Sequence, residues 1–281
     1  MELLCIKESM SLICSKKLDL KVVNQPPLPF TMEQNSAKVL GNCFMISTQY
    51  RRIIGKLLYL SNTKPDISYT IGKLSQFLDC ATNAHLKAAH QVLRYVKGSP
   101  STGLFFSAKS DLHLTGFSDS DWTGCPDSRR STSVYCFYLG PSLVTWKSKK
   151  QLTVATFSSE AEYRALALAT REAQWLTYVL HDLGAPIQKP INIYCDINLA
   201  IYIAINPVFH ERTKHIEADC HIVCDKLQEK LIHLLPISTH NQAADILTKS
   251  LAPGPFHAAY SKLGLLNLFS PNNASLQEGV T

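Results

Sequence analysis

The chain has 281 residues, 46% hydrophobic and 18% charged, with a formal net charge of +6. That apolar content, with a charged fraction below the roughly 25% usual for soluble domains, excludes a disordered tail protein and provides for one large or two modest cores. No window reaches the ~18 uncharged apolar residues of a membrane span, and the start (MELLCIKESM) lacks the basic region and unbroken apolar stretch of a signal peptide. An intracellular location and reduced thiols at the nine scattered cysteines are therefore expected.

Residues 1–49 show no sustained periodicity and carry a cluster at Pro26, Pro27 and Pro29, which marks a poorly defined leader. Residues 50–100 follow with apolar positions at helical spacing: Ile53, Ile54, Leu57 and Leu58, then Ile67, Ile71, Leu74 and Leu78 after the Lys64-Pro65 break, then Leu86, Ala89, Leu93 and Val96. Three helices ending at Gly98 and Pro100 are predicted. Arg51, Arg52, Lys56, Lys64, Lys73, Lys87, Arg94 and Lys97 face only Asp66 and Asp79 there, so this stretch accounts for the whole net charge of +6. A solvated helix face and a surface for a nucleic-acid backbone are both open readings.

From about Leu104 the pattern turns to strands: Leu112 to Ser118, Val134 to Leu139, a Gly140-Pro141 turn, and Leu143 to Trp146, an antiparallel meander. A helix from Ser159 to about Leu183 has one apolar stripe (Leu166, Ala169, Ala173, Leu176, Leu180) and a stop at Gly184. Next come a strand from Ile191 to Cys195, a helical stretch from Leu199 to Ile205, a helix from Lys214 to Lys230, a strand from Ile232 to Ile237 and a last helix from Gln242 to Leu251. The order predicts an α/β fold with a mixed five-stranded sheet flanked by helices, preceded by the small helical region. The tail from Phe269 to Thr281 is polar and expected to be loose.

Four acidic residues occupy informative places on this plan. Asp119 and Asp196 end the first and fourth strands, where open α/β sheets place their sites. Glu162 continues the apolar stripe of the long helix toward the sheet, and Asp245 opens the last helix. Each has a local alternative: strand-end turns for the two aspartates, a capping box with Ser159 for Glu162, an i,i+4 pair with Lys249 for Asp245, and turn chemistry for Asp121. Cys220 and Cys224, near His215 and His221, suggest zinc only weakly, since no second ligand pair follows at finger spacing.

Together, FSDSDWTG (Asp119), SSEAEYRAL (Glu162), IYCDINLA (Asp196) and HNQAADILTK (Asp245) resemble the carboxylate quartet of the ribonuclease H fold. The longer words YRRIIGKLLYLSNTKPDISY, HLKAAHQVLRYVKG, GCPDSRRSTSVYCFYLG, TWKSKKQLTVATFSSEAEY, NPVFHERTKHIEADCHIV and AADILTKSL are similar to the C-terminal part of the Pol polyprotein of plant copia-type LTR retrotransposons, over roughly residues 47–268. The resemblance implies that residues 50–100 correspond to the thumb or connection region of the reverse transcriptase, that residues 105–268 form a ribonuclease H-like domain, and that residues 269–281 lie outside it.

It further implies a metal-dependent endonuclease that hydrolyses the RNA strand of RNA–DNA hybrids. Two Mg²⁺ ions, replaceable by Mn²⁺, would be held by Asp119, Glu162, Asp196 and Asp245. His240 is the nearest candidate for a loop histidine assisting the leaving group. Lys147, Lys149 and Lys150 are candidates for phosphate contact, with a basic strand edge that discourages pairing as the alternative; Arg212 and Lys214, beside His215, could also meet phosphate. Expected partners are the hybrid and the polymerase region upstream in the polyprotein, with no membrane. The expected location is cytoplasmic, with virus-like particles and the nucleus as further sites. No Asp-Asp pair of the polymerase type occurs in the chain, so DNA synthesis is not expected. Ile197-Asn198-Leu199 departs from the polar run usual after the third aspartate, which keeps open an inactive remnant that only binds nucleic acid or has no function.

Overall fold

The computed structural model describes residues 47–106, 112–196, 201–202, 204 and 217–267, and these form two compact units divided at residues 105/106 and 249/250. The expectations for the leader up to residue 46, for the tail, and for Arg212, Lys214 and His215 lie outside the described residues.

The helical unit begins with α1 (Ser47–Leu60), a 3-10 turn at Pro65–Ile67, α2 (Ser68–Ser75) and α3 (Asn83–Gly98). Most of the predicted apolar positions form its core, with Ile54, Leu57, Ile71, Leu74 and Ala89 fully buried, whereas Leu58 is exposed. α3 starts in a capping box, where Thr82 Oγ1 accepts from His85 N and His85 Nδ1 accepts from Thr82 N, two orphan amides satisfied at once. The short strand β1 (Thr102–Leu104) follows α3 in this unit.

The sheet unit holds β2 (Leu114–Asp121), β3 (Thr132–Leu139), β4 (Ser142–Lys150), α4 (Ser158–Asp182), β5 (Ile191–Cys195), α5 (Glu217–Gln228), β6 (Ile232–Pro236) and the four-residue α6 (Asp245–Thr248). The strand order is β4-β3-β2-β5-β6, antiparallel across β4, β3 and β2 and parallel from β2 through β5 to β6. This is the mixed five-stranded sheet flanked by helices expected for a ribonuclease H-like α/β fold. α4 lies on β2 and β3 and against α5, burying Leu166, Ala169 and Ala173 on Phe137 and Ile193. Gly116 in β2 lies directly under the Phe137 ring, leaving no room for a Cβ.

Three expectations are corrected. β2 runs past Ser118 because its ladder with β3 continues through Asp119↔Val134 and Asp121↔Thr132, so Asp119 lies inside the strand. The helix predicted from Gln242 to Leu251 spans only Asp245–Thr248, since Gln242 and Lys249 are both extended. The sheet unit ends at Lys249, not near 268. Residues beyond it belong to the helical unit: α7 (Pro253–Lys262) places Phe256 edge-on to Tyr95, and β7 (Leu265–Asn267) pairs antiparallel with β1.

Candidate active site

The four carboxylates arrive on four elements of the sheet unit. Glu162, in the second turn of α4 and 2% exposed, accepts through Oε1 from Ser120 N at 2.9 Å and Ser120 Oγ at 3.0 Å. The helix N-cap is Phe157 without a side-chain cap, so the capping box with Ser159 is not formed and the Glu162 carboxylate is held by β2 instead. Asp119, next to Ser120 and 4% exposed, accepts from Thr248 Oγ1 at 2.6 Å. Asp196 is the first residue after β5, and its Oδ1 is buried with no hydrogen-bond partner among the described residues. Asp245 opens α6, with Oδ1 2.7 Å from Lys249 Nζ, so its i,i+4 pair exists alongside its place in the site. Asp121 is the last residue of β2 rather than a turn former, and its carboxylate accepts from Thr132 N of the facing strand β3.

Burial and mutual repulsion push protons onto this cluster. Burial raises Asp119 to about 8, with Asp196 and Asp245 adding to the rise and the Thr248 hydrogen bond and Lys249 opposing it. Glu162 is also raised, first by burial and then by Asp119 and Asp196, against the two bonds from Ser120. Asp196 is raised by burial and by Asp245. Burial disfavours the Lys249 ammonium, but its bond to Asp245 and the charges of Asp245, Asp119 and Asp196 prevail and raise its pKa. Such a cluster is short of positive charge, and a divalent cation would supply it.

The donor set fits a hard cation. Donor atoms of Glu162, Cys195 and Asp196 lie within 4.8 Å of one another, the orphaned Asp196 oxygen among the carboxylates is a ready ligand, and carboxylate oxygens are what Mg²⁺ prefers. The Cys195 thiol, 4.0 Å from Glu162 Oε2, is a softer neighbour that the sequence pattern did not single out. The zinc alternative gains nothing: Cys220 is fully buried in the core and Cys224 Sγ donates to Ala204 O at 3.1 Å.

No family model matches the chain. It is 44% identical over 218 residues to the retrovirus-related Pol polyprotein from transposon RE1 of Arabidopsis thaliana, and 42% identical over 221 residues to that from transposon RE2, covering 78% and 79% of this chain but 15% of each relative. A secreted RxLR effector protein of Plasmopara viticola is 45% identical over 134 residues, 47% of this chain and 94% of that protein. The chain belongs to the copia-type, retrovirus-related Pol family. This Pol segment thus spans about 15% of the length of the RE1 and RE2 polyproteins. A solved LC11-RNase H1 in complex with RNA/DNA hybrid is 16% identical, with a TM-score of 0.36, over 50% of this chain and 96% of that one.

Among the described residues, the other predicted ones of the Pol segment lie on the 3-10 turn Thr239–Asn241 and on β4. His240 is exposed on the 3-10 turn Thr239–Asn241, its Nδ1 3.2 Å from Asn241 Oδ1. β4 is an edge strand, and Lys147 and Lys149 project exposed from one of its faces, while Ser148 between them turns to α6 and donates to Leu247 O at 2.9 Å. Lys150 is on the face of Ser148 and donates to Cys125 Sγ at 2.8 Å, so the three lysines are not one array. The sequence reading passed over Ser120, Gln242 and Thr248. Gln242 is fully buried and donates to Ser118 O at 2.9 Å, and Thr248 reaches Asp119 across 129 positions of sequence.

Proposed function

We propose that this Pol segment carries a metal-dependent ribonuclease H that hydrolyses the RNA strand of RNA–DNA hybrids. The observation that carries the proposal is the convergence of four carboxylates from β2, α4, the end of β5 and α6 on one place, with Lys249 their cationic neighbour. Asp119, Glu162, Asp196 and Asp245 would hold two Mg²⁺ ions, replaceable by Mn²⁺. Bound ions of this kind activate a water and stabilise charge on the leaving oxygen of a phosphodiester. The protein's own part is placement: Ser120 orients Glu162, Thr248 orients Asp119, and the β2–β5 pairing sets Asp119 beside Asp196. A hybrid of A-like geometry shows its 2′-hydroxyls in a shallow groove, so RNA is told from DNA without base reading. Kinship with the RE1 and RE2 polyproteins supports reverse transcription as the setting, with residues 50–100 as a reverse-transcriptase connection segment and the polymerase region as a partner. We assign the segment no DNA synthesis, because its sequence has no Asp-Asp pair.

Purified protein with Mg²⁺ or Mn²⁺ should nick the RNA of a labelled hybrid. Asp119→Asn and Asp196→Asn should each lower the rate at least ~100-fold with an unchanged circular dichroism spectrum, since each removes a ligand charge from the reacting centre. Folded wild type that binds hybrid in a salt-sensitive way but cleaves with neither metal would sink the enzyme and leave the remnant.

A further inference from the structure

Gln242 joins two halves of the carboxylate site. Its side chain is 0% exposed. Nε2 donates to Ser118 O at 2.9 Å, and Oε1 accepts from Ala244 N at 3.3 Å. Ser118 immediately precedes Asp119 in β2, and Ala244 immediately precedes Asp245. One planar amide therefore fastens together the residues just ahead of two carboxylates whose elements are far apart in sequence.

α6 needs such a fastening. It has four residues, too few to hold a helix by its own hydrogen bonds, and no side chain caps it. Gln242 itself is extended (φ −64°, ψ 112°), which turns its side chain from the preceding 3-10 turn into the interior. A buried amide is unfavourable unless its polar atoms are paired, so any drift of the Asp245 segment from β2 strands the Gln242 amide and its partners together. Volume alone is supplied around it by Ala243, Ala244, Ile246 and Leu247, all buried. What a Leu or Met of similar size would lack is direction. Thr248 makes a second tie at the other end of α6, to Asp119 Oδ2.

We propose that Gln242 is a positioning residue that fixes Asp245 relative to Asp119 and so sets the affinity of that half of the site for its divalent ion. The proposal rests on the ribonuclease H assignment above for its metal and extends it to a residue that touches neither metal nor substrate.

The test is Gln242→Met in the full chain, read by calorimetric titration with Mn²⁺ and by the Mg²⁺ concentration giving half-maximal hybrid cleavage. Both should rise at least 10-fold, while the cleavage rate at saturating metal stays within about threefold of wild type and the circular dichroism spectrum is unchanged. A lower melting temperature with unaltered metal dependence would mean a packing role and overturns the proposal. Should Gln242→Met fail to fold, Gln242→Asn keeps an amide one methylene too short to reach both partners; it should shift the titration the same way, and a wild-type titration overturns the proposal. Wild type that binds Mn²⁺ without cleaving removes the activity but leaves the Gln242 comparison decided by calorimetry, whereas wild type that binds no Mn²⁺ overturns both.

Discussion

Asp119 is held in a strand interior, where burial first, and then the charges of Asp196 and Asp245, raise its pKa to about 8 against the Thr248 hydroxyl on one oxygen. Its unfolded value lies near 3.9. A group raised on folding contributes stability that is complete below the unfolded pKa and is lost as pH rises through the folded one. The metal-free protein should therefore weaken between about pH 4 and pH 8, and Glu162 and Asp196, shifted in the same direction, act likewise. Asp119→Asn removes one such penalty. In EDTA at pH 8 the variant should melt about 3–6 °C above wild type, with the gap closing toward pH 4, and saturating Mg²⁺ should cancel or reverse it. Thermal melts in EDTA from pH 4 to 8.5 check this, and a variant less stable than wild type at pH 8 would show that hydrogen bonding outweighs repulsion. The carboxylates themselves were legible in the sequence because each sits in a long family-like word. Ser120, Gln242 and Thr248 were not, since a serine, a glutamine and a threonine acquire their roles only from partners that the fold brings across 42, 124 and 129 positions.

Elements follow the same division between local and distant causes. β5 forms over Ile191–Cys195 as expected, because Ile191, Ile193 and Cys195 alternate along it and are buried where it pairs in parallel with β2 and β6. The end of β2 was misplaced because Asp119 and Asp121 read as turn formers, while the actual cause of continued pairing is the β3 ladder at Ser133 and Thr132. The last helix, expected from Gln242 to Leu251, spans only Asp245–Thr248. Tertiary bonds cut it short: Gln242 turns inward, and Ser148 on β4 donates to Leu247 O at the other end. Ser148→Ala should therefore destabilise the sheet unit by about 0.5–1.5 kcal/mol, the net worth of one hydrogen bond. Hydrogen exchange should localise the loss to the amides of Leu247 and Lys249, whose acceptors are Ala244 O and Asp245 O. Faster exchange spread evenly over β3 and β4 would instead mean that Ser148 supports the sheet and not α6.

The chain as a whole divides its labour between two cores, and the division is sharper than the sequence suggested. β1 and β7, three residues each, pair across most of the chain's described length, and no local pattern marks so short a ladder. Within the helical unit, Lys64 is 2% exposed and donates to Ser99 O at 3.0 Å and Thr102 O at 2.9 Å, while buried Asp66 accepts from Tyr95 at 2.5 Å. Burial lowers the Lys64 pKa and raises that of Asp66, each opposed by the other's charge. Lys64→Met strands two carbonyls and leaves Asp66 without its cation, which should cost that unit about 3 kcal/mol. The carboxylate quartet and every side chain that orients it, Ser120, Gln242, Thr248 and Lys249 included, fall within residues 106–249. Scanning calorimetry of the full chain should accordingly resolve two transitions, one lowered by Lys64→Met and indifferent to Mg²⁺, the other raised by Mg²⁺ and indifferent to Lys64→Met. A fragment of residues 106–249 should retain the second transition and its response to Mg²⁺, because its core, with Phe137, Leu166, Ile193 and Leu234 all buried, is complete without the helical unit. A single transition moved by both perturbations, or a fragment that fails to melt cooperatively, would mean that the sheet unit takes part of its stability from the helices, and the metal response would then have to be measured in the intact chain alone.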